Sequence, residues 1–378
     1  MHLVVGILSV LILLSILWDV FETIILPRRV TRTFRFARLF IRSSWALYSA
    51  IVRKMSVTRR RESLLSYFGP LSLLVLFILW ASALIFAFAA LHWSVGTAVA
   101  APRLSPTFRT DLYFSGTTFF TLGMGDVIPT SGSAKALAVL EAGTGFGFLA
   151  IVISYLPTLY QSFSQREMNI SLLDARAGSP PTAAELLRRH GSRRILEGLG
   201  QYLRDWEVWS AQLMESHLTY PILCFFRSQH DNQSWVAALA AILDVCALLI
   251  AYGEGETKWQ AQLTFAIARH AVADMSQVLR LKPQAPRRER LQPEDLPRVR
   301  SLLRECGAVG CSDAGDVKLS ELRAMYEPYL GAMSQLLLMP LPSWGVDPAP
   351  NQAMTVWDRI TSGASGSLSP DQVESDHF

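Results

Sequence analysis

Three long apolar runs organise the first 160 residues: Leu3 to Leu26, about Leu65 to His92, and about Ser133 to Leu156. Each is as long as the roughly 20 residues that an α-helix needs to cross a bilayer. The first run has no Lys or Arg before it and no small-x-small site after it, so it reads as an uncleaved span, not a signal peptide. The third is broken only by Lys135 and Glu141. Between the second and third lies Asp111 to Pro129, too polar and too glycine-rich to span as a helix. Within it, 112–120 predicts a short helix and Thr121-Leu122-Gly123-Met124-Gly125 an extended segment that ends at Asp126.

The pattern changes after residue 160. Helical periodicity predicts helices over about 183–190, 192–217, 233–252, 256–282, 295–305 and 314–338. Thr182 is placed to cap the first of these, with Glu185 completing a capping box. Pro283, Pro286, Pro293 and Pro297 mark a linker, and the tail from Gly363 is Ser/Gly/Asp-rich and predicts disorder. Trp235 to Ala251 is apolar apart from Asp244 and lacks a basic flank, which favours the buried core of a helical bundle over a fourth span.

Composition sharpens the picture. Of 378 residues, 51% are hydrophobic and 17% charged, against about 25% charged in average soluble domains. Mean hydropathy is +0.27. A simple soluble enzyme and a disordered chain are both excluded. Residues 27–62 hold eleven Arg/Lys against one Glu, a local +10, so the formal net charge of +4 leaves −6 for the rest. A basic block beside an apolar run points to a cytoplasmic membrane face, not to nucleic acid. That orientation puts the N-terminus and the 111–129 loop outside and residues 161–378 in the cytosol. Phe36, Phe40, Leu47 and Ile51 recur within the block as on a helix lying in the interface. Asp19 and Glu22 share a helix face. They read either as headgroup-level partners of Arg28 or Arg29, or as a buried contact with another helix.

The chemistry sits in the loop. Non-helical backbone at membrane depth survives only where protein or a watery cavity satisfies it. Gly123 and Gly125 in alternation allow positive φ, so that successive carbonyls can face one way. Four such loops stack oxygen rings that replace the hydration shell of a monovalent cation. The Thr121 hydroxyl can add a further ring. One loop per chain then requires a homotetramer with cyclic symmetry.

TTFFTLGMGDVIP resembles the pore signature of the potassium-channel superfamily. Thr117, Thr118, Thr121, Gly123, Gly125, Asp126 and Pro129 carry the likeness. Residues 65–160 resemble that family's two-helix pore module, and the likeness stops near 160. It implies potassium ions permeating through rings from Thr121, Leu122, Gly123, Met124 and Gly125. It also implies support from Asp126, Thr117, Thr118, Tyr113 and Phe114, a hinge at Gly145, and a cavity lined by Phe146, Leu149 and Ile153. Gly143, Gly145 and Gly147 read equally as helix-packing positions. Glu141 reads as an acceptor for Thr117, Thr118 or a neighbouring subunit, or as a functional site.

The sequence departs from the family at Met124, where Tyr or Phe is usual, and at Phe120, where Thr is usual. Met is flexible and has no hydroxyl, although Tyr113 and Phe114 are close enough in sequence to pack on it. A weakly selective monovalent cation channel is therefore the alternative within transport, and a non-conducting membrane receptor or scaffold the alternative outside it. No nucleophile, base or metal constellation predicts catalysis, and no cofactor is called for. His217, His230 and His270 are far apart. Cys306 and Cys311 lack a second pair. No GxGxxG or βαβ alternation marks a nucleotide-binding domain, and no three-residue arginine repeat marks a voltage sensor. The expected architecture is an all-α membrane protein. It comprises an N-terminal span (1–27), a basic linker (28–64), a pore module (65–160), a helical cytoplasmic domain (161–362) and a tail (363–378), with membrane lipid as its surround and no regulatory ligand named.

Overall fold

The computed structural model describes residues 2–26, 35–56, 59–96, 99–100, 107–191, 196–229, 233–286, 289–306 and 312–345. Arg28, Arg29, His230, Cys311 and the tail lie outside the described residues. The chain forms two compact units: Met1–Ser56 with Tyr67–Gln161, and Val57–Ser66 with Ser162–Phe378.

The first unit contains α1 (His2–Val20), α2 (Phe36–Val52), most of α3 (Arg59–Val95), α4 (Phe108–Phe119) and most of α5 (Gly132–Ala177). Val99–Ala100 (β1) pairs antiparallel with Ile128–Pro129 (β2). The α1 segment, α3 and α5 are long and apolar enough to cross a membrane. At about 1.5 Å per residue, α3 and α5 are roughly 55 and 70 Å long, well beyond a hydrocarbon core of about 30 Å. Both therefore continue into residues of the second unit.

Asp19, the first of the acidic pair, makes the contact between helices, and the alternative partners Arg28 and Arg29 lie outside the described residues. Asp19 is buried and accepts from the Ala37 amide (3.0 Å) and Trp80 Nε1 (3.0 Å). It thereby caps the positive end of α2 from another helix. Glu22 accepts from Trp18 Nε1 at 2.8 Å and lies 3.6 Å from Arg35 Nε. Phe36, Leu47 and Ile51 of α2 are exposed, while Trp45 is buried edge-on against Phe68. Phe40, the remaining residue of the stripe, is half-buried.

The second unit is built from α6 (Ala183–Gly191), α7 (Leu196–Thr219), α8 (Trp235–Tyr252), α9 (Gly255–Val278), α10 (Leu296–Glu305), α11 (Asp313–Ala324) and α12 (Glu327–Leu337). Although α8 is long and apolar enough to span, 94% of it is buried inside the unit. Ser234 caps it through the Ala237 amide. Its one charge, Asp244, is fully buried and accepts from Arg290 and from the Tyr326 hydroxyl. A buried carboxylate so paired belongs to a protein core.

Two local expectations change. Thr182 does accept from the Glu185 amide (3.3 Å), but the Glu185 carboxylate pairs with Arg189 (2.7 Å) and Arg188 (3.5 Å). The predicted helix over 314–338 is two helices. The chain breaks at Met325–Tyr326 and restarts with Pro328 in the first turn of α12, where a missing N–H costs nothing.

Candidate ion pathway

The short helix α4 buries Thr110, Asp111, Phe114, Ser115 and Phe119. It ends in a Schellman motif. The Leu122 amide bonds to Thr117 O (2.8 Å) and the Thr121 amide to Thr118 O (3.0 Å), with Thr121 at φ 56°. That left-handed position usually takes glycine. A β-branched residue there stores about 1–3 kcal/mol of strain. Gly123 (φ 57°) and Gly125 (φ 76°) continue the alternation. Every second residue from Thr121 to Gly125 is therefore left-handed, and the whole stretch Thr121–Asp126 is exposed. Leu122 and Met124 present 63% and 66% of their surface.

Asp126 at the far end accepts from the Tyr113 hydroxyl at 2.9 Å. This bond ties the end of the loop to the first half of α4. Phe114 is buried and meets His92 edge-on, with ring centroids 5.1 Å apart. Thr117 turns its hydroxyl back to Phe114 O (2.9 Å), and Thr118 contributes its carbonyl to the cap.

Glu141 does not meet either threonine. It is fully buried on α5, with His92 Nε2 of α3 at 3.2 Å from one oxygen and the Ser115 hydroxyl of α4 against the other. Ser115 Oγ also lies 2.8 Å from Ile85 O. The three helices of the module meet in one polar knot. Sequence alone does not join His92 to Glu141, because pairing across 49 residues is a tertiary event. Its only sequence signal is that it is the one imidazole on its span. Replacing Glu141 by Leu removes the acceptor facing His92 Nε2 while Ser115 keeps Ile85 O, and is expected to cost about 1–3 kcal/mol. Glu141→Gln, which keeps an acceptor and a donor, costs less. Thermal unfolding of both variants in detergent checks the order.

One face of α5 is exposed. Phe146 and Ile153 present 68% and 70% of their surface, while Leu149 is only half-exposed and flanks them. Gly143 and Ala150 stand on the Phe146–Ile153 line and complete it. Gly145 faces the other way. A Cβ added there would lie 1.9 Å from Phe119 O, whereas Gly143 and Gly147 have open space. In this conformation α5 is helical through all three, and Gly145 is where it touches the end of α4. Among the described residues, no three His, Cys, Asp or Glu side chains gather as a metal site.

Two spanning helices enclosing a short helix and a left-handed loop define a pore domain. Residues 73–162 match the family described as "Ion channel", the two-helix pore-domain type. This segment is thus similar to an ion-channel pore domain, and the chain is a multi-pass membrane protein. The chain is also similar to "Uncharacterized membrane protein YdjJ" of Bacillus subtilis (strain 168), with 24% identity over 218 residues. The alignment covers 55% of this chain, and the chain spans about 60% of that relative's length. No solved structure matches.

Proposed function

We propose that four copies of this chain close around Thr121–Gly125 and conduct potassium ions through the stacked carbonyls of those residues. The observation that carries this reading is the exposed loop with left-handed residues at 121, 123 and 125. Such a loop at membrane depth needs partners from other protein, water or ions, and identical loops about an axis supply them. Asp126 and Tyr113 hold the outer end, Thr117 and Thr118 end the helix beneath it, and Phe146 and Ile153 face the cavity. The basic block from 27 to 62 orients the helical unit to the cytosol in a bacterial inner membrane.

The helical unit gates this pore. Both long helices send their ends into it: Glu62 of α3 pairs with Arg227 at 3.5 Å, and Arg166 of α5 donates to Leu223 O and Phe226 O at 3.0 Å each. A single short segment, 223–227, thus grips both. Burial draws the Arg227 guanidinium down to about 10, so the grip is made in a dry site.

Met124 favours a second reading, weak selectivity among monovalent cations. It is exposed, flexible and lacks a hydroxyl with which to brace the loop. Flux into liposomes holding the purified protein, under a potassium and then a sodium gradient, tests the proposal. Flux of potassium alone upholds it, comparable fluxes favour the second reading, and no flux of either overturns conduction. Met124→Tyr is expected to raise the potassium-to-sodium ratio. Gly125→Ala, at a position where an L-residue costs about 1–2 kcal/mol, is expected to cut flux at least tenfold.

A further inference from the structure

The Thr121–Gly125 loop inherits its position from α4. Among the described residues, the hydrogen bonds of Thr121–Asp126 run to α4 or to Phe120, which ends it. The side chains of Leu122 and Met124 are exposed and carry no hydrogen-bond donor with which to hold the loop from the side. A turn of α4 about its own axis therefore swings the loop with it.

A single hydroxyl opposes that turn. Phe108, Phe114 and Phe119 seat α4 through ring contacts with Phe86, His92 and Phe148. Ring contacts hold over a range of offsets and tilts, whereas a hydrogen bond weakens steeply once its angle is lost. Ser115 is fully buried, and its Oγ lies 2.8 Å from Ile85 O of α3 and against Glu141 of α5. Glu141 faces His92 Nε2 in turn, at 3.2 Å. One side chain, six residues or about 9 Å of helix before Thr121, thus pegs α4 to both spanning helices.

Resting on the conduction reading above, we propose that Ser115 is a positioning residue for ion selectivity. It touches no ion. Through Ile85 O and Glu141 it sets the rotation of α4, and with it the places of the Thr121–Gly125 carbonyls. Discrimination between monovalent cations depends on the size and number of such oxygen sites, so a small rotation costs selectivity before it costs conduction. The charge of Glu141 is not required. An amide there can donate to Ser115 Oγ, leave the Ser115 proton for Ile85 O, and offer its own oxygen to His92 Nε2.

The test measures the potassium-to-sodium flux ratio of the full-length protein in liposomes, beside thermal unfolding in detergent. Ser115→Ala is expected to lower the ratio at least fivefold while potassium flux persists. Glu141→Leu, which cuts the link to α5, is expected to lower it as well, and Glu141→Gln to recover at least half of that loss. Ser72→Ala removes another buried hydroxyl of the same unit, one that bonds Gly69 O, and is expected to leave the ratio within twofold of the parent. A ratio unchanged in Ser115→Ala, with only the unfolding temperature lowered, overturns the proposal. So does an equal fall in Ser72→Ala, which would mark general loosening. If Ser115→Ala is not recovered folded, the Glu141→Leu and Glu141→Gln pair decides on the same ratio. A parent that passes both ions alike overturns this inference and leaves conduction standing. A parent that passes neither overturns the conduction reading and this inference with it.

Discussion

Gly145→Ala is expected to unseat the pore helix and reduce ion flux to background. The added methyl would sit 1.9 Å from Phe119 O, 2.7 Å from Phe119 C and 3.0 Å from its Cα. These are backbone atoms, so no rotamer change relieves the overlap. Either α4 or α5 must move by more than an ångström. Overpacking of this kind costs about 1–3 kcal/mol, and more where backbone must shift. Phe119 is two residues before Thr121, so any shift of α4 is passed directly to the Thr121–Gly125 loop. Gly143 and Gly147 are the matched controls. With open space at both, their replacement by Ala is expected to stabilise α5 by about 0.5–1 kcal/mol through reduced chain entropy. Thermal unfolding in detergent beside liposome flux checks all three. A hinge role alone predicts that Gly145→Ala leaves the unfolding temperature near that of the controls. Equal behaviour of the three variants would remove the packing argument.

The parts of this molecule that could be read from sequence are those whose causes are local. Gly123 and Gly125 announce left-handed backbone two residues apart, and the loop around them needs no distant information. The three spans likewise follow from runs of apolar residues longer than a bilayer needs. The polar knot of His92, Ser115 and Glu141 was hidden because it joins three helices across 26 and 49 residues. The charge on Glu141 signals a partner, but its spacing in the sequence does not separate Ser115 from Thr117 and Thr118. Thr121 illustrates a different failure. Its left-handed φ is imposed by the Schellman bonds that end α4, against the preference of a β-branched residue. Hydropathy could not decide the place of α8 alone, because lipid and protein core favour the same residues. Asp244 decides it, since its partners Arg290 and Tyr326 come from elsewhere in the same unit. The break before α12 was legible in Pro328 and is a matter of giving proline its due weight at a helix start.

Arg166→Leu is expected to destabilise the helical unit by about 3–5 kcal/mol, the usual result of breaking a buried ionic cluster from one side. The Arg166 side chain is 2% exposed and pairs with Glu167 at 2.8 Å. It also donates to Leu223 O, Phe226 O and His217 Nε2 (3.2 Å). Since a guanidinium can only donate, His217 Nε2 must accept. The proton of a neutral imidazole then sits on Nδ1, 2.9 Å from Leu213 O. Burial first, and the Arg166 charge second, hold His217 well below its ordinary 6.5. The sign follows from linkage. Above about 6.5 the imidazole is neutral in both folded and unfolded chains, and its environment costs nothing extra. As pH falls below that value, the unfolded chain takes up a proton that the folded chain refuses. Stability is then lost at up to about 1.4 kcal/mol per pH unit until the folded value is reached. His217→Gln keeps an acceptor for Arg166 and removes the titration. Denaturant unfolding at pH 7.5, 6.5 and 5.5, followed by fluorescence from Trp209 and Trp235, is expected to give a steeper acid loss in the parent than in His217→Gln. Parallel loss in both would assign the acid sensitivity elsewhere. Arg166 stands on the same helix as Phe146 and Ile153, and its guanidinium binds the segment that also holds Glu62 through Arg227. Mild acid therefore acts on the 223–227 segment that holds Arg166 and Glu62, and, on the proposed gating, ion flux in the parent is expected to change over the same pH range while flux in His217→Gln does not.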